Sequence, residues 1–182
     1  RLCVNGFGRI GRLVARLLLQ RQLDEGDSCA FRLVHVHELE PAGDTQAHAA
    51  EISAYLLEFD SVHGRWHGHR VSHAEKDGGK VSLKVVRSSS AGSAAAAGSA
   101  VASEDAAAAE FSFSTGTADP AQVPWRNLGV DVVLECTGML RKRALLQPML
   151  DAGVRKIVVS APMKEGVPNV VVGVNDDTYV HA

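Results

Sequence analysis

Apolar and polar residues along this chain fall into two rhythms. Leu2-Cys3-Val4 is a short apolar run that reads as the end of a strand. Beyond it, Ile10, Leu13, Val14, Leu17 and Leu18 recur at steps of three, one, three and one, which predicts a helix. Phe31 to Val36, interrupted by Arg32 and His35, predicts the next strand, ending at His37-Glu38. After the Pro41-Ala42-Gly43-Asp44 loop, Ile52, Tyr55, Leu56 and Phe59 return to helical spacing within 47–59. Val81, Leu83 and Val85 alternate with polar neighbours, so Val81 to Arg87 reads as a strand, with Phe111 to Ser114 as its partner. Ser88 to Ala109, between them, is almost wholly Ala, Ser and Gly. It has no apolar face to bury, which predicts a disordered low-complexity insertion at a hairpin tip.

The last third changes character. Val132-Val133-Leu134, Ile157-Val158-Val159 and Val170-Val171-Val172 are continuous apolar runs, the signature of strands buried on both faces of a parallel sheet. Arg141 to Ala152 is helical in pattern but contains Pro148, so that helix is either kinked or begins near the proline. Strands alternating with helices predict an α/β fold with a doubly wound, mostly parallel sheet. In such sheets ligands lie beyond the carboxyl ends of the strands. The segments placed there are Gly6 to Gly11, Glu38, Cys136-Thr137-Gly138 and Ser160-Ala161-Pro162.

One of those segments carries chemistry. Asn5-Gly6-Phe7-Gly8-Arg9-Ile10-Gly11-Arg12 contains G-x-G-x-x-G between a strand and an amphipathic helix, the context in which the motif has a mechanism. Gly6 permits the tight turn, Gly8 lets the backbone approach a pyrophosphate, and Gly11 lets helix and strand pack closely. The helix N-terminus offers free N–H groups and a favourable dipole to phosphates. The bland alternative is a purely structural strand-to-helix turn. An acid at the tip of the second strand completes a Rossmann-type site by accepting bonds from the adenosine ribose. Glu38, 27 residues beyond Gly11, is that acid; the polar stretch Asp24 to Ser28 absorbs the long spacing. A carboxylate there repels a 2′-phosphate, which favours NAD over NADP. As a solvated loop acid Glu38 would carry no such meaning.

Bulk properties narrow the classes. With 182 residues and 46% apolar content the chain builds one domain or one and a half with an ample core. Net charge is −2, and no long basic run suggests nucleic acid. No apolar stretch approaches a membrane span. Cys3, Cys29 and Cys136 are odd in number and far apart, as in a reduced, intracellular protein. Arg1 stands almost inside a strand and Ala182 follows an apolar run, so both ends read as cut, and a removed targeting segment, plastid included, stays open.

Six ordered motifs carry a family resemblance: NGFGRIGR (5 to 12), YLLEFDSVHGRW (55 to 66), DPAQVPW (119 to 125), GVDVVLECTG (129 to 138), RKIVVSAP (155 to 162) and VVGVN (171 to 175). In this order they resemble the NAD-binding half of glyceraldehyde-3-phosphate dehydrogenases. The resemblance covers nearly the whole chain apart from the insertion. It implies a Rossmann-type domain over 1–182, truncated before the catalytic domain, in a cytoplasmic, commonly tetrameric enzyme acting on a small-molecule aldehyde. Glu38 and Val123-Pro124-Trp125-Arg126 depart from the commonest glycolytic pattern. They are similar to erythrose-4-phosphate dehydrogenases. FDSVHGRW, VPWRNLGVD, VLECTG and Ala161 to Gly166 resemble more closely the branch associated with arsenate resistance, in which arsenate replaces phosphate.

By resemblance, Arg9 and Ile10, with Gly6, Phe7, Gly8 and Gly11 around them, present the loop and its backbone N–H groups to the pyrophosphate. Glu38 holds the adenosine ribose, and Thr137, Gly138 and Ser160 border the nicotinamide side. The family's acid-Arg-Asp-Pro segment is replaced by Thr117-Ala118-Asp119-Pro120. That removes an arginine side chain but leaves a backbone contact at Ala118 available. The family's nucleophilic cysteine, in Ser-Cys-Thr-Thr-Asn, and its histidine base are absent from this sequence. No catalytic residue is therefore expected within it, and a non-catalytic dinucleotide-binding module is the competing reading.

Three features tempt otherwise. Cys136 ends a buried strand with no basic neighbour in sequence, a poor setting for a thiolate. His63, His67, His69 and His73 resemble a metal cluster, but their spacing crosses a turn and a strand without a completing Cys or acid, so a solvated face accounts for them better. Arg141-Lys142-Arg143 reads as a solvated helix start, or as a greeting for an anionic partner.

Overall fold

The computed structural model describes residues 1–39, 45–76, 78–88, 107–164 and 166–180. Its strands and helices alternate as β1 (Leu2–Asn5), α1 (Arg9–Glu25), β2 (Leu33–Leu39), α2 (Gln46–Glu58), β3 (Phe59–Asp60), β4 (Gly64–Arg65), β5 (His69–Lys76), β6 (Lys80–Arg87), β7 (Ala108–Gly116), α3 (Trp125–Leu128), β8 (Val132–Glu135), α4 (Arg143–Asp151) and β9 (Lys156–Val159). Seven strands form one sheet in the order β5-β6-β7-β2-β1-β8-β9. The pairs β1–β2, β1–β8, β2–β7 and β8–β9 are parallel, and β5–β6 and β6–β7 are antiparallel. The expected α/β, mostly parallel sheet is borne out. Among the described residues no helix is long and apolar enough to cross a membrane.

The chain winds outward from β1 to β2 and β7, then returns across the sheet to place β8 on the other side of β1. This reversal opens a crevice at the carboxyl ends of β1 and β8, where the two connections leave in opposite directions. Alternation along β1 serves two cores. Val4 faces the cluster of Ala15, Leu19, Val36, Leu57 and Phe113, while Cys3 faces that of Trp125, Val133, Leu146 and Met149.

Both long helices exist where the periodicity places them, yet each turns a different face inward. In α1 the buried positions are Gly11, Ala15, Arg16, Leu19, Gln22 and Leu23, whereas Ile10 and Leu17 are 52% and 70% exposed. Small residues at 11 and 15 let the helix lie close to β1, and Arg16 is admitted because its guanidinium donates to the Leu57 carbonyl (2.7 Å). In α2 the buried face is Ala49, Ala50, Ser53, Ala54 and Leu57; Ile52 and Tyr55 point outward. Thr45 caps α2 by accepting from the His48 N–H.

Three further expectations need correction. The strand predicted at Val170-Val171-Val172 is a turn, and all three valines are exposed. Local side chains take its backbone donors: Asn175 Oδ1 accepts from the Val171 N–H (2.6 Å) and Asp176 Oδ1 from the Gly173 N–H (2.7 Å). The second helix of the C-terminal half runs through Pro148 rather than starting there, beginning at Arg143 and losing one bond that the Ala144 carbonyl would have accepted. The antiparallel pairing of β6 with β7 stands, but β7 starts at Ala108, and Ala109 is buried. The last two residues of the Ser88–Ala109 stretch therefore belong to the sheet; positions 89–106 lie outside the described residues, as does the Pro41–Asp44 loop. Cys3, Cys29 and Cys136 are all free thiols.

At the crevice β1 and β8 are tied by a buried acid. Glu135 has no exposed surface; its Oε2 accepts from the Asn5 amide and its Oε1 from the Thr137 N–H (2.9 Å) and hydroxyl. Glu135→Gln replaces one acceptor oxygen by a donor that faces donors already in place. The variant should lose about 2–3 kcal/mol in urea denaturation, whereas a loss within the error of the measurement would show that this contact is dispensable.

Candidate dinucleotide site

The loop after β1 is built by three constraints. Gly6 has φ +90°, and a Cβ there would sit 2.7 Å from the Thr137 nitrogen. Gly11 faces β1 so closely that a Cβ would lie 2.0 Å from the Gly6 carbonyl oxygen. Gly8 is different: it meets nothing within 4 Å, so the space before it is open. Gly8 is also the N-cap of α1, which has no side-chain cap and no acid in its first turn. The first N–H groups of this 17-residue helix thus have no capping side chain of their own.

Side chains fix the loop's flanks. Glu38 sits one residue before the end of β2, and its carboxylate accepts from the Phe7 N–H and from the Leu39 N–H (2.8 Å). Arg12 Nη1 donates to the Phe7 carbonyl (2.8 Å), while its Nε is buried without a partner. Burial lowers the Arg12 pKa from its ordinary value, with Asp60 and Glu38 opposing that shift. Across the crevice, Thr137 gives its hydroxyl to Glu135 and accepts from the Met139 N–H (3.1 Å). Gly138 takes a positive φ of +72°, and the Ser160 N–H donates to the Glu135 carbonyl (2.9 Å).

All ten anticipated positions thus lie at one edge of the sheet, but not all touch. Gly6, Phe7, Gly8, Arg9, Ile10 and Gly11 form the loop and first turn of α1. Glu38 joins them through Phe7, and Thr137 through Gly6. Ser160 meets Cys136 and the end of β8 instead. Cys136 is half-buried, and burial raises its thiol pKa, with the Ser160 hydrogen bond opposing. That is the reverse of what an activated nucleophile needs.

A neighbouring cleft was not anticipated. Asn5, Gly6, His37, Leu39, Thr117, Ala118, Pro120, Val123, Thr137 and Met139 line it. It is small, and its lining mixes the polar side chains of Asn5, His37, Thr117 and Thr137 with the apolar ones of Leu39, Pro120, Val123 and Met139. Ala118, singled out for a backbone contact, is here. His37, Leu39 and Thr117 were not singled out, although each stands at or just beyond a strand tip, the only signal available.

His37 edges onto Trp125 (6.3 Å between centroids) and belongs to a hydrogen-bonded ladder on β2 and β7 in which His35 and His37 are buried, Ser114 is half-buried and Ser112 is exposed. Ser112 Oγ donates to the Val34 carbonyl (3.0 Å). His35 lies between Ser112 (Nδ1, 2.6 Å) and Ser114 (Nε2, 2.9 Å), and His37 between Ser114 (Nδ1, 2.9 Å) and the Thr117 carbonyl (Nε2, 3.4 Å). Burial lowers the His35 pKa to about 4, with His37 adding to the shift. It also lowers that of His37, where Thr117 and Glu38 oppose it.

The four histidines suspected of metal binding do not converge. His63 pairs with Asp60 in an exposed turn, His69 is buried against Trp66 (4.3 Å between centroids), and His73 is exposed on β5. Among the described residues no group of three or more His, Cys, Asp or Glu is placed to hold a metal ion.

A parallel sheet with a topological reversal at β1 and β8, and an uncapped helix behind a glycine loop, defines a dinucleotide-binding α/β domain. Residues 1–95 match the family described as "Glyceraldehyde 3-phosphate dehydrogenase, NAD binding domain", and the chain belongs to that family. NAD is accordingly its cofactor. The chain is 35% identical over 179 residues to "Glyceraldehyde-3-phosphate dehydrogenase 3" of Nostoc sp., with 98% of this chain and 41% of that protein covered. It is 36% identical over 177 residues to the Pseudomonas aeruginosa enzyme of the same general name, covering 97% and 41%. Against "Glyceraldehyde-3-phosphate dehydrogenase 1" of Kluyveromyces lactis the identity is 32% over 182 residues, covering 98% and 41%. The chain spans about two fifths of the length of these relatives.

The His35 pKa carries a stability consequence. The unfolded residue takes a proton near 6.5 and the folded one only near 4, so its contribution is complete above about pH 6.5 and is lost as pH falls toward 4. The loss is about 3 kcal/mol by linkage. In urea titrations at pH 7.5 and 4.5, the stability gap between the native protein and His35→Gln should narrow on acidification; an unchanged gap would contradict a neutral buried His35.

Proposed function

We propose that the chain is the cofactor-binding half of a phosphorylating, glyceraldehyde-3-phosphate dehydrogenase-like oxidoreductase. The reaction takes an aldehyde to an acyl phosphate, or to an acyl arsenate in the arsenate-resistance branch that several motifs resemble. The observation that carries this reading is the open space before Gly8 at the uncapped end of α1, within a sequence that matches the family. When bound, NAD supplies the acceptor for the substrate's hydride.

In this reading each residue has a restricted task. Gly6, Phe7, Gly8, Arg9, Ile10 and Gly11 form the pyrophosphate cradle, with backbone N–H groups as donors. The Glu38 carboxylate, already aimed at the loop through Phe7 and Leu39, accepts from the adenosine ribose hydroxyls with its remaining lone pairs. The cleft beside His37, Thr117 and Ala118 receives the adenine. Thr137, Gly138 and Ser160 border the nicotinamide end. The nucleophile and base belong to a catalytic domain that this sequence does not contain, and Cys136 is a structural thiol. The domain runs over 1–182, with an insertion in 88–109. The assembled enzyme is a cytoplasmic homotetramer whose substrate is a small molecule, not a nucleic acid or a membrane.

Two measurements test the site. Gly8→Val fills the open space without meeting protein atoms at its Cβ, so NAD affinity should fall at least tenfold, by about 1.4 kcal/mol or more, with little change in Tm. A variant that binds NAD as tightly as the native protein would remove the phosphate assignment. Calorimetry with both cofactors should show NAD bound more tightly than NADP, because a 2′-phosphate meets the Glu38 charge. Equal or tighter NADP binding would defeat the ribose assignment.

A further inference from the structure

Arg12, on the first turn of α1, is half-buried in a setting that does little for its charge. Its Nε is buried without a partner, an expense that a solvated arginine would not carry. Burial disfavours its cation, which Asp60 and Glu38 favour and Arg9 opposes. Neither acid pairs with it among the described residues. Asp60 Oδ1 accepts from the Val62 and His63 N–H groups (2.9 and 2.7 Å), and Glu38 from those of Phe7 and Leu39. The one hydrogen bond the guanidinium makes among the described residues runs from Nη1 to the Phe7 carbonyl (2.8 Å).

That bond controls a peptide plane. Phe7 is 2% exposed and its N–H is already given to Glu38, so side chains from β2 and α1 hold both of its backbone groups. The Phe7–Gly8 peptide is trans and planar. Fixing the Phe7 oxygen therefore fixes the Gly8 N–H as well, on the side away from the guanidinium. The next plane is held by the same residue: the Arg12 N–H donates to the Gly8 carbonyl (2.9 Å), which fixes the Arg9 N–H in the same way. Between the two planes lie only the φ and ψ of Gly8, which has no side chain of its own to restrain them. A charged donor on the Phe7 oxygen also polarises the first plane and makes the Gly8 N–H a stronger donor.

Resting on the reading of Gly6 to Gly11 as the pyrophosphate cradle, we propose that Arg12 is a positioning residue of that cradle, whose side chain and main chain together clamp Gly8 and set the directions of the Gly8 and Arg9 N–H groups without touching the nucleotide. The guanidinium acts through the backbone, and its charge is not the binding group. Donors preset in direction bind an anion more tightly than donors that must be ordered on binding, because the ordering entropy is already spent. The clamp also accounts for the orphaned Nε: the side chain stays in a poor setting because only from there does Nη1 reach the Phe7 oxygen.

The test uses the full-length protein with Arg12→Met, which keeps the stem and removes the donor, and Arg12→Lys, which keeps one donor. In nucleotide-free, glycine-labelled samples the Gly8 amide nitrogen resonance reports whether the Phe7 carbonyl is hydrogen-bonded. That resonance should move in Arg12→Met and return part of the way in Arg12→Lys. By calorimetry Arg12→Met should bind NAD and ADP-ribose about tenfold more weakly or worse, with adenosine, which has no phosphate, within about twofold of the native value. Arg12→Lys should fall between the native protein and Arg12→Met, and it carries both readouts alone if Arg12→Met does not fold. Weaker NAD binding with an unmoved Gly8 resonance would make the guanidinium a direct phosphate contact and overturn the clamp. Undiminished NAD binding in the variants would overturn it too, while leaving the cradle reading intact. A native protein that binds no NAD removes the cradle reading and the clamp with it.

Discussion

The Glu135 carboxylate is the contact on which the cofactor edge depends. It is an acid with no exposed surface and, among the described residues, no ion-pair partner, held by an amide, an N–H and a hydroxyl. A buried charge is tolerated only when its lone pairs are satisfied, so its three donors must stay in place. Asn5 ends β1 and Thr137 follows β8, so satisfying the acid draws the two strand tips together at the point where the chain reverses direction. Gly6 then packs against the Thr137 nitrogen, and the loop inherits its position from that contact. Tightness at Gly6 and Gly11 and openness at Gly8 are consequences of one arrangement: backbone is pressed against backbone on two sides, leaving the third for a ligand.

Glu38 works on the same loop from the other side. Its two oxygens hold the Phe7 and Leu39 N–H groups, so the acid read from sequence as a ribose acceptor is first a brace. The two roles are compatible, because a carboxylate has about four acceptor sites. Under the proposed ribose role, the charge that would oppose a 2′-phosphate is held fixed by the brace rather than swinging on a mobile side chain. Fixed charges discriminate better because they cannot relax away from an unwanted group.

The helices show how far hydrophobic spacing carries. Spacing located α1 and α2 well but misjudged which faces they bury. Ile10 and Leu17 lie on the outer side of α1, Ile52 and Tyr55 on that of α2, and the sheet instead receives Gly11, Ala15, Ala50 and Ala54. Close packing on a sheet rewards small residues, which pattern reading discounts, and it admitted Arg16 and Gln22 because each found a carbonyl or N–H partner.

What the sequence by itself determined was local and chemical: the strand-glycine loop-helix unit, the acid at the tip of β2, the alternation that requires a doubly wound sheet, and the ordered motifs that assign the family. Each depends on residues close together in the chain or on backbone freedom that only glycine has. Tertiary structure decided the rest. It left Val170-Val171-Val172 exposed outside the sheet, where Asn175 and Asp176 take nearby backbone N–H groups. It also assembled the ladder of His35, Ser114 and His37, whose members stand 77 to 79 positions apart in the chain where they face each other. No local pattern marks such a ladder, since its members meet only once the register of β2 against β7 has brought them face to face.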